Sequence, residues 1–366
     1  MKKALVIGGG FAGCSGAQML KKKGFEVCLV EALPYLGGGC RTFHYFGHPY
    51  TYGPRHFLTT KPKTFEFLNQ FVPMRKIPEH EFLTYVGSDQ QFYNFPIHED
   101  DIKRMPDQEK IKKELSEKQD VDGSQNLEEF WVRSVGPTLY AKYVEKYSKK
   151  MWMIDSNREL DVFNYTAKGV ALKTGSKACW EGAISAFPLA SDGYDAYFPL
   201  ATQGCHVRLN TRITKYDIPN YKVEINGIWE KYDLILNTIS PEYLFDQCYG
   251  PLRWMGRDFL KIILPVEEVF PKNIYFLYYA NDEPFTRIVE YKKFYRNKSP
   301  HSLLGLEIPS NRNKLYPFTT KKDQELAARY QALLPEKAFS LGRAAEYRYI
   351  DVAIILDHMF ELEKKI

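Results

Sequence analysis

Lys3-Ala4-Leu5-Val6-Ile7-Gly8-Gly9-Gly10-Phe11-Ala12-Gly13 is the stretch on which the fold turns. Four apolar residues in a row, Ala4 to Ile7, suit a strand buried on both faces. The glycines that follow satisfy G-x-G-x-x-G. The first permits a tight turn, the second lets backbone approach a pyrophosphate, and the third lets helix and strand pack closely. A helical stretch through Ala17, Met19 and Leu20 stops at Lys21-Lys22-Lys23-Gly24, since lysines in a last turn followed by glycine end a helix. Phe25 to Val30 then forms a second apolar strand closed by Glu31, where a carboxylate can accept hydrogen bonds from a ribose. Phosphates would sit on the amides of the helix N-terminus. The expected dinucleotide set is Gly8, Gly10, Phe11, Ala12, Gly13, Glu31 and Ala32. A second glycine turn, Gly37-Gly38-Gly39, follows with Arg41 behind it. That suits a long flavin dinucleotide running deeper into the fold, so FAD is expected, with Gly38 and Arg41 in contact. A plain surface loop is the alternative.

The rest of the chain bounds the answer. Its 366 residues exceed one small domain. Hydrophobic residues at 44% and charged residues at 26% exclude disorder, collagen and coiled coil. A net charge of +5 is too slight over this length to argue for nucleic acid. The six cysteines include no CxxC pair and the histidines are scattered, so neither a disulfide framework nor a metal site is expected. The N-terminal apolar run stops at Gly8, too short for a signal peptide, and nothing approaches the length of a membrane span. A soluble, cytoplasmic protein is expected.

Residues 100–118 are dense in charge, with Ile102, Met105, Ile111 and Leu115 at helical spacing, and 126–152 continue in helical style. From Tyr249 to Tyr316 short β-rich runs alternate with turns: Lys261–Pro265, Ile274–Tyr279, Thr286–Tyr291 and Ser302–Glu307. Lys322–Leu334 and Asp351–Lys365 are helical again. The expected class is α/β: a Rossmann-like FAD-binding domain (1–72, 186–246 and 326–366), a helical substrate-side insertion (99–185) and an antiparallel β-sheet domain (73–98 and 247–325).

Several separated segments resemble the UDP-galactopyranose mutases, flavoenzymes that interconvert pyranose and furanose nucleotide sugars. Tyr52-Gly-Pro-Arg-His-Phe-Leu-Thr59 is similar to the family's "YGAHIFHT", and Asn94-Phe-Pro96 to its "NLP". Tyr147-Ser-Lys-Lys-Met-Trp152 matches "YTEKQW", and Phe285-Thr-Arg-Ile-Val-Glu-Tyr-Lys292 resembles "YTRIIEHK". Leu315-Tyr-Pro317 resembles "YYP", and Gly342-Arg-Ala-Ala-Glu-Tyr-Arg-Tyr-Ile-Asp-Val352 resembles "GRLAEYKYYDM". The matches run in order along nearly the whole chain. The resemblance implies an isomerase in which reduced FAD acts as a nucleophile. Its N5 attacks the anomeric carbon and expels the diphosphate, and the sugar ring opens and recloses in the other size. It also implies a nucleotide-diphosphate sugar as substrate, NAD(P)H or another reductant, a role in supplying surface-polysaccharide precursors, and compatibility with a homodimer.

Residue by residue, Arg287 matches the diphosphate-binding arginine, a fork-like task for a guanidinium. Tyr316 and Tyr349 match the phosphate-contacting tyrosines, Tyr147 the aromatic under the nucleobase and Trp152 the tryptophan near the sugar. Arg343 and Asp351 fall where the last motif closes over the flavin. Asn94 takes the substrate-side asparagine position, and Tyr194 joins the substrate set. Each tyrosine has a plainer explanation as a core aromatic. Departures fall in two places. The family's two histidines land on Arg55 and Leu58, with His56 at an apolar position. A second, mobile-loop arginine lands on Ala167, beside Lys168. Arg55 (counted with the catalytic set) or Lys168 could compensate, and the sugar need not be galactose. Two other classes remain: a flavin oxidoreductase of the amine-oxidase type, which would not need Arg287, Tyr316 and Tyr349, and a non-catalytic nucleotide-sugar binder.

Overall fold

The computed structural model describes residues 1–161 and 170–366. The chain forms two compact units, one of residues 1–77, 182–253 and 322–366, the other of 78–181 and 254–321. The stretches expected as a helical insertion and as a β-sheet domain share the second unit.

The first unit is built on β1 (Lys3–Ile7), α1 (Phe11–Lys22) and β2 (Glu26–Val30). Both strands are buried apart from their first residue, as continuous apolar strands in a covered parallel sheet must be. The sheet has five parallel strands in the order His206–Arg208, β2, β1, Leu234–Asn237, Ala338–Ser340. Lys21 and Lys22 occupy the last turn of α1, and Gly24 follows at φ +85°. A closing helix, Val352–Glu363, packs against α1.

The second unit carries a seven-stranded sheet. With β3 (Glu81–Val86), β4 (Gln91–Phe95), β5 (Trp254–Leu264), β6 (Ile274–Tyr279), β7 (Arg287–Glu290), β8 (Ser302–Ser310) and β9 (Tyr316–Pro317), the order is β9-β5-β8-β7-β6-β3-β4. Every junction is antiparallel except β6–β3, which is parallel. The β3–β4 hairpin comes from a distant part of the chain and docks on the edge of the later strands, a placement no local turn dictates. Helices cover one face. Asn126 caps α2 (Leu127–Tyr140) by accepting from the Glu129 amide, Gly136 and Pro137 kink it, and a π-turn leads into α3 (Lys146–Trp152). Leu127, Phe130, Val135, Leu139 and Trp152 pack there with Tyr93, Met255 and Tyr316 from the sheet. Among the described residues, no helix is long and apolar enough to cross a membrane.

Candidate active site

In the first unit the glycine loop is shaped as a cradle. Gly8 has φ +99°, and a Cβ on Gly13 would stand 1.9 Å from the Gly8 carbonyl oxygen, so α1 can start this close to β1 only with glycine there. A Cβ on Gly10 would meet nothing within 4 Å, which leaves open space beside that backbone. No side chain caps the N-terminus of α1 and its first turn holds no acid, so its amides remain available to an anion. Glu31 Oε2 accepts from the Gly9 amide at 2.6 Å and Oε1 from the Leu33 amide at 2.7 Å. A cavity of about 440 Å³ opens beside it, lined by Gly8, Ala32, Arg212, Tyr216 and Tyr243. The second glycine turn docks on the first: the Gly37 amide donates to the Gly9 carbonyl at 2.8 Å, and a Cβ on Gly38 would lie 3.2 Å from Gly10 Cα. These residues fit a dinucleotide.

The remaining members of this unit sit as follows. Phe11 is buried against Tyr197, with ring centroids 5.2 Å apart. Ala12 lies under Gly342, whose Cβ would stand 2.5 Å from the Ala12 Cβ, so the C-terminal motif meets the first turn of α1. Arg41 lies 4.7 Å over the Tyr35 ring. Arg343 donates through Nε to the Ile350 carbonyl at 2.7 Å and lies 5.0 Å over the half-exposed Tyr349 ring. Asp351 caps the closing helix by accepting from the Ala353 and Ile354 amides, and burial raises its pKa.

Two side chains of the expected set, Arg55 and Tyr194, make structural contacts, and a neighbouring histidine adds a third. Arg55, at φ +45°, donates through Nε to the Gly39 carbonyl at 2.7 Å, so it braces the second glycine turn. Tyr194 is 1% exposed and its hydroxyl donates to the Arg55 carbonyl at 2.9 Å. It is a strut under Arg55. His56 is half-buried with Nε2 2.7 Å from Ser185 Oγ, and desolvation pushes its pKa down to about 4. The neutral ring is favoured in the folded state, so the unfolded chain takes up the proton first. Stability should therefore be fully present above about pH 6.5 and fall by about 3 kcal/mol as pH drops towards 4. His56→Gln should flatten that acid limb in urea titrations between pH 4 and 7. An unchanged limb would place the titrating group elsewhere.

In the second unit Arg287 lies on β7 opposite Glu307 of β8. Its Nε donates to Glu307 Oε1 at 3.0 Å and its Nη2 to Oε2 at 2.7 Å, a two-pronged pair with Glu307 1% exposed. Burial works against the charge, but Glu307 outweighs it and the guanidinium stays firmly protonated. The Arg287 guanidinium lies 5.7 Å from the Tyr278 ring centroid, and Tyr147 meets Tyr278 edge-on at 5.8 Å. Lys150, one turn after Tyr147, donates to the carbonyls of Tyr279, Asn281, Glu283 and Phe285 at 2.7–3.1 Å. It fastens α3 to the loop that leads into Arg287. Tyr316 faces Met255 on the same sheet and is buried.

Two residues of this group sit differently from expectation. Trp152 is 7% exposed and packs on Phe318 at 5.4 Å, a core position. Asn94 pairs with Leu83, which pairs with Leu277, which pairs with Ile288. Side chains alternate along a strand, so Asn94 stands on the face opposite Arg287 and is not brought together with it. Its buried Nδ2 has no hydrogen-bond partner among the described residues. Lys168 lies outside the described residues. Glu307 and Tyr278 were not expected, though a single carboxylate in the apolar run Leu303-Leu-Gly-Leu-Glu307 is a signal that could have found the first.

A profile of the UDP-galactopyranose mutase family matches residues 142–349, more than half of the chain. One of an NAD(P)-binding Rossmann-like domain matches residues 6–71. The chain is 23% identical to a dTDP-fucopyranose mutase from Escherichia coli over 99% of its length and 97% of that protein's. It is 24% identical to a UDP-galactopyranose mutase from Mycoplasma genitalium over 96% and 92%. The crystal structure of a reduced UDP-galactopyranose mutase superposes with a TM-score of 0.83 at 15% identity, covering 100% of this chain and 93% of that one. With the glycine cradle in one unit and the Arg287–Glu307 face in the other, the chain belongs to the UDP-galactopyranose mutase family of isomerases.

Proposed function

We propose that the chain interconverts the pyranose and furanose forms of a nucleotide-diphosphate sugar with reduced FAD, and that its sugar is not galactose. The observation that carries this reading is the Arg287–Glu307 pair, a charged fork set in an aromatic face with Tyr278, Tyr147 and Tyr316. The N–H donors that Glu307 leaves over on Arg287 can meet a diphosphate, which an amine oxidase would not need to hold. Bound reduced flavin supplies the nucleophile toward the anomeric carbon. The chain's own residues do the rest. The amides at Gly8–Gly13 take the cofactor's pyrophosphate, Glu31 its ribose, and the Gly37–Gly39 turn, braced by Arg55, the approach to the ring. Arg343 and Asp351 shape the C-terminal side of that cradle. Arg287 and Tyr316 hold the departing diphosphate so that it can return, Tyr349 keeps the phosphate role its motif implies, and Tyr147 presents a face to the base. NAD(P)H is a suitable reductant, and surface-polysaccharide precursors a suitable destination for the product.

The test is to incubate the protein, before and after dithionite reduction, with dTDP-fucopyranose and UDP-galactopyranose and to quantify furanose product by chromatography. Turnover only after reduction, and FAD released on denaturation, is the expected result. Equal rates before and after reduction, or peroxide formation from amines, would move the protein to the oxidoreductases.

A further inference from the structure

The sheet face that carries Arg287 holds a second guanidinium. Arg257 of β5 stands opposite Pro309 of β8, two residues along from Glu307, which is opposite Arg287. Opposed residues share a face, and so do residues two apart, so Arg257, Glu307 and Arg287 look the same way. Tyr316 joins them through Met255, two residues before Arg257. The Arg257 guanidinium lies 4.8 Å from the Tyr316 ring centroid, donates through Nη1 to the Gly256 carbonyl at 2.7 Å, and touches the Met151 sulfur next to Trp152. It is 2% exposed.

The charges on this face do not balance. Arg287 is matched by Glu307. The Arg257 guanidinium meets one backbone carbonyl and one thioether among the described residues, with no carboxylate in ion-pair range. Arginine cannot escape burial by losing its proton, and a buried charge without a counter-ion is costly. Stacking on Tyr316 offsets part of that cost but gives the N–H donors no anion. Ala167 stands where the family resemblance expects a second phosphate arginine.

We propose that Arg257 is a substrate-binding residue: the second guanidinium for the nucleotide diphosphate, presented from a strand of the sheet. The inference rests on the nucleotide-sugar reading above. It assigns the net positive charge of this face to Arg257, because Glu307 already neutralises Arg287. The departing diphosphate would meet Arg257 and Tyr316 together, the arginine held by Tyr316 on one side and Gly256 on the other.

The test compares wild type, Arg257→Lys and Arg257→Met, each with its cofactor bound. Dissociation constants are measured for UDP and dTDP, and for uridine and thymidine, alongside the thermal midpoint without nucleotide. Arg257→Met should weaken the two diphosphates about 10- to 150-fold, leave the nucleosides within twofold, and keep or raise the midpoint, since an uncompensated charge has gone. Arg257→Lys should recover part of the diphosphate affinity as a point charge. Diphosphate affinity within twofold of wild type in Arg257→Met overturns the inference. So does a lowered midpoint with nucleosides and diphosphates weakened alike, which marks a strut. Weakening confined to the intact sugar nucleotides places Arg257 at the sugar and overturns it too. Wild type that binds neither diphosphate fails at the level of the function itself.

Discussion

Arg287→Met should lose most activity and also destabilise the protein, whereas Arg287→Met combined with Glu307→Gln should recover the stability and not the activity. The reason is the buried pair. Glu307 is 1% exposed and both its carboxylate oxygens accept from Arg287. Removing the arginine alone strands a buried carboxylate, at a cost of about 3–5 kcal/mol. That loss by itself could mimic a catalytic defect. The amide of glutamine carries no charge to strand, so the double variant separates folding from function. A charge-assisted contact to a buried anion is worth about 1.5–3 kcal/mol, so the double variant should still be about 10- to 150-fold slower. Urea denaturation midpoints and turnover on reduced enzyme are the two measurements. If the double variant regains wild-type turnover, Arg287 serves the sheet and the diphosphate contact lies elsewhere.

What could be read from the sequence divides along a physical line. The β1–α1–β2 unit was legible because its requirements are local. A Cβ at Gly13 collides with a backbone oxygen five residues away, and lysines before Gly24 end a helix whatever lies around them. The partners of Arg287 were not legible, because they depend on register. Glu307 faces it only because β7 and β8 pair at one particular offset, and a shift of one residue would turn Glu307 to the other side of the sheet. The same alternation misplaced Asn94: its motif fits, yet β4 pairs with β3 so that Asn94 shares a face with Leu277 and Ile288. The parallel β6–β3 junction lies between segments nearly two hundred residues apart in sequence, beyond any turn signal. Arg55 matched a position in the family's histidine motif, but the motif says nothing of the Gly39 carbonyl that occupies its side chain. Local rules located the glycine cradle, whereas the Arg287–Glu307 face needed the sheet assembled.

A 6-deoxy sugar should be turned over in preference to galactose. Where the family motif has its second histidine, this chain has Leu58, half-buried on the strand Phe57–Thr59 and paired with Ser185. A histidine there can donate to or accept from a sugar hydroxyl, and a leucine can do neither. Arg55, three residues earlier, has its Nε engaged by the Gly39 carbonyl. This preference requires the sugar's C6 to lie beside Leu58, where galactose would find no polar partner for its extra hydroxyl and fucose would offer only a methyl. An apolar pocket rejects an added hydroxyl only moderately, up to about 100-fold, whereas a site built around a hydroxyl rejects its absence far more strongly. The expected preference in kcat/KM is therefore about 10- to 100-fold. Sugar and base must be separated, so the measurement needs four substrates: the fucose and galactose forms of both dTDP and UDP nucleotides, each assayed with reduced enzyme. The fucose forms should lead within each base, and Leu58→His should narrow that ratio by improving galactose. Should galactose lead with both bases, Leu58 is neutral drift beside a pocket that reads its sugar through other residues.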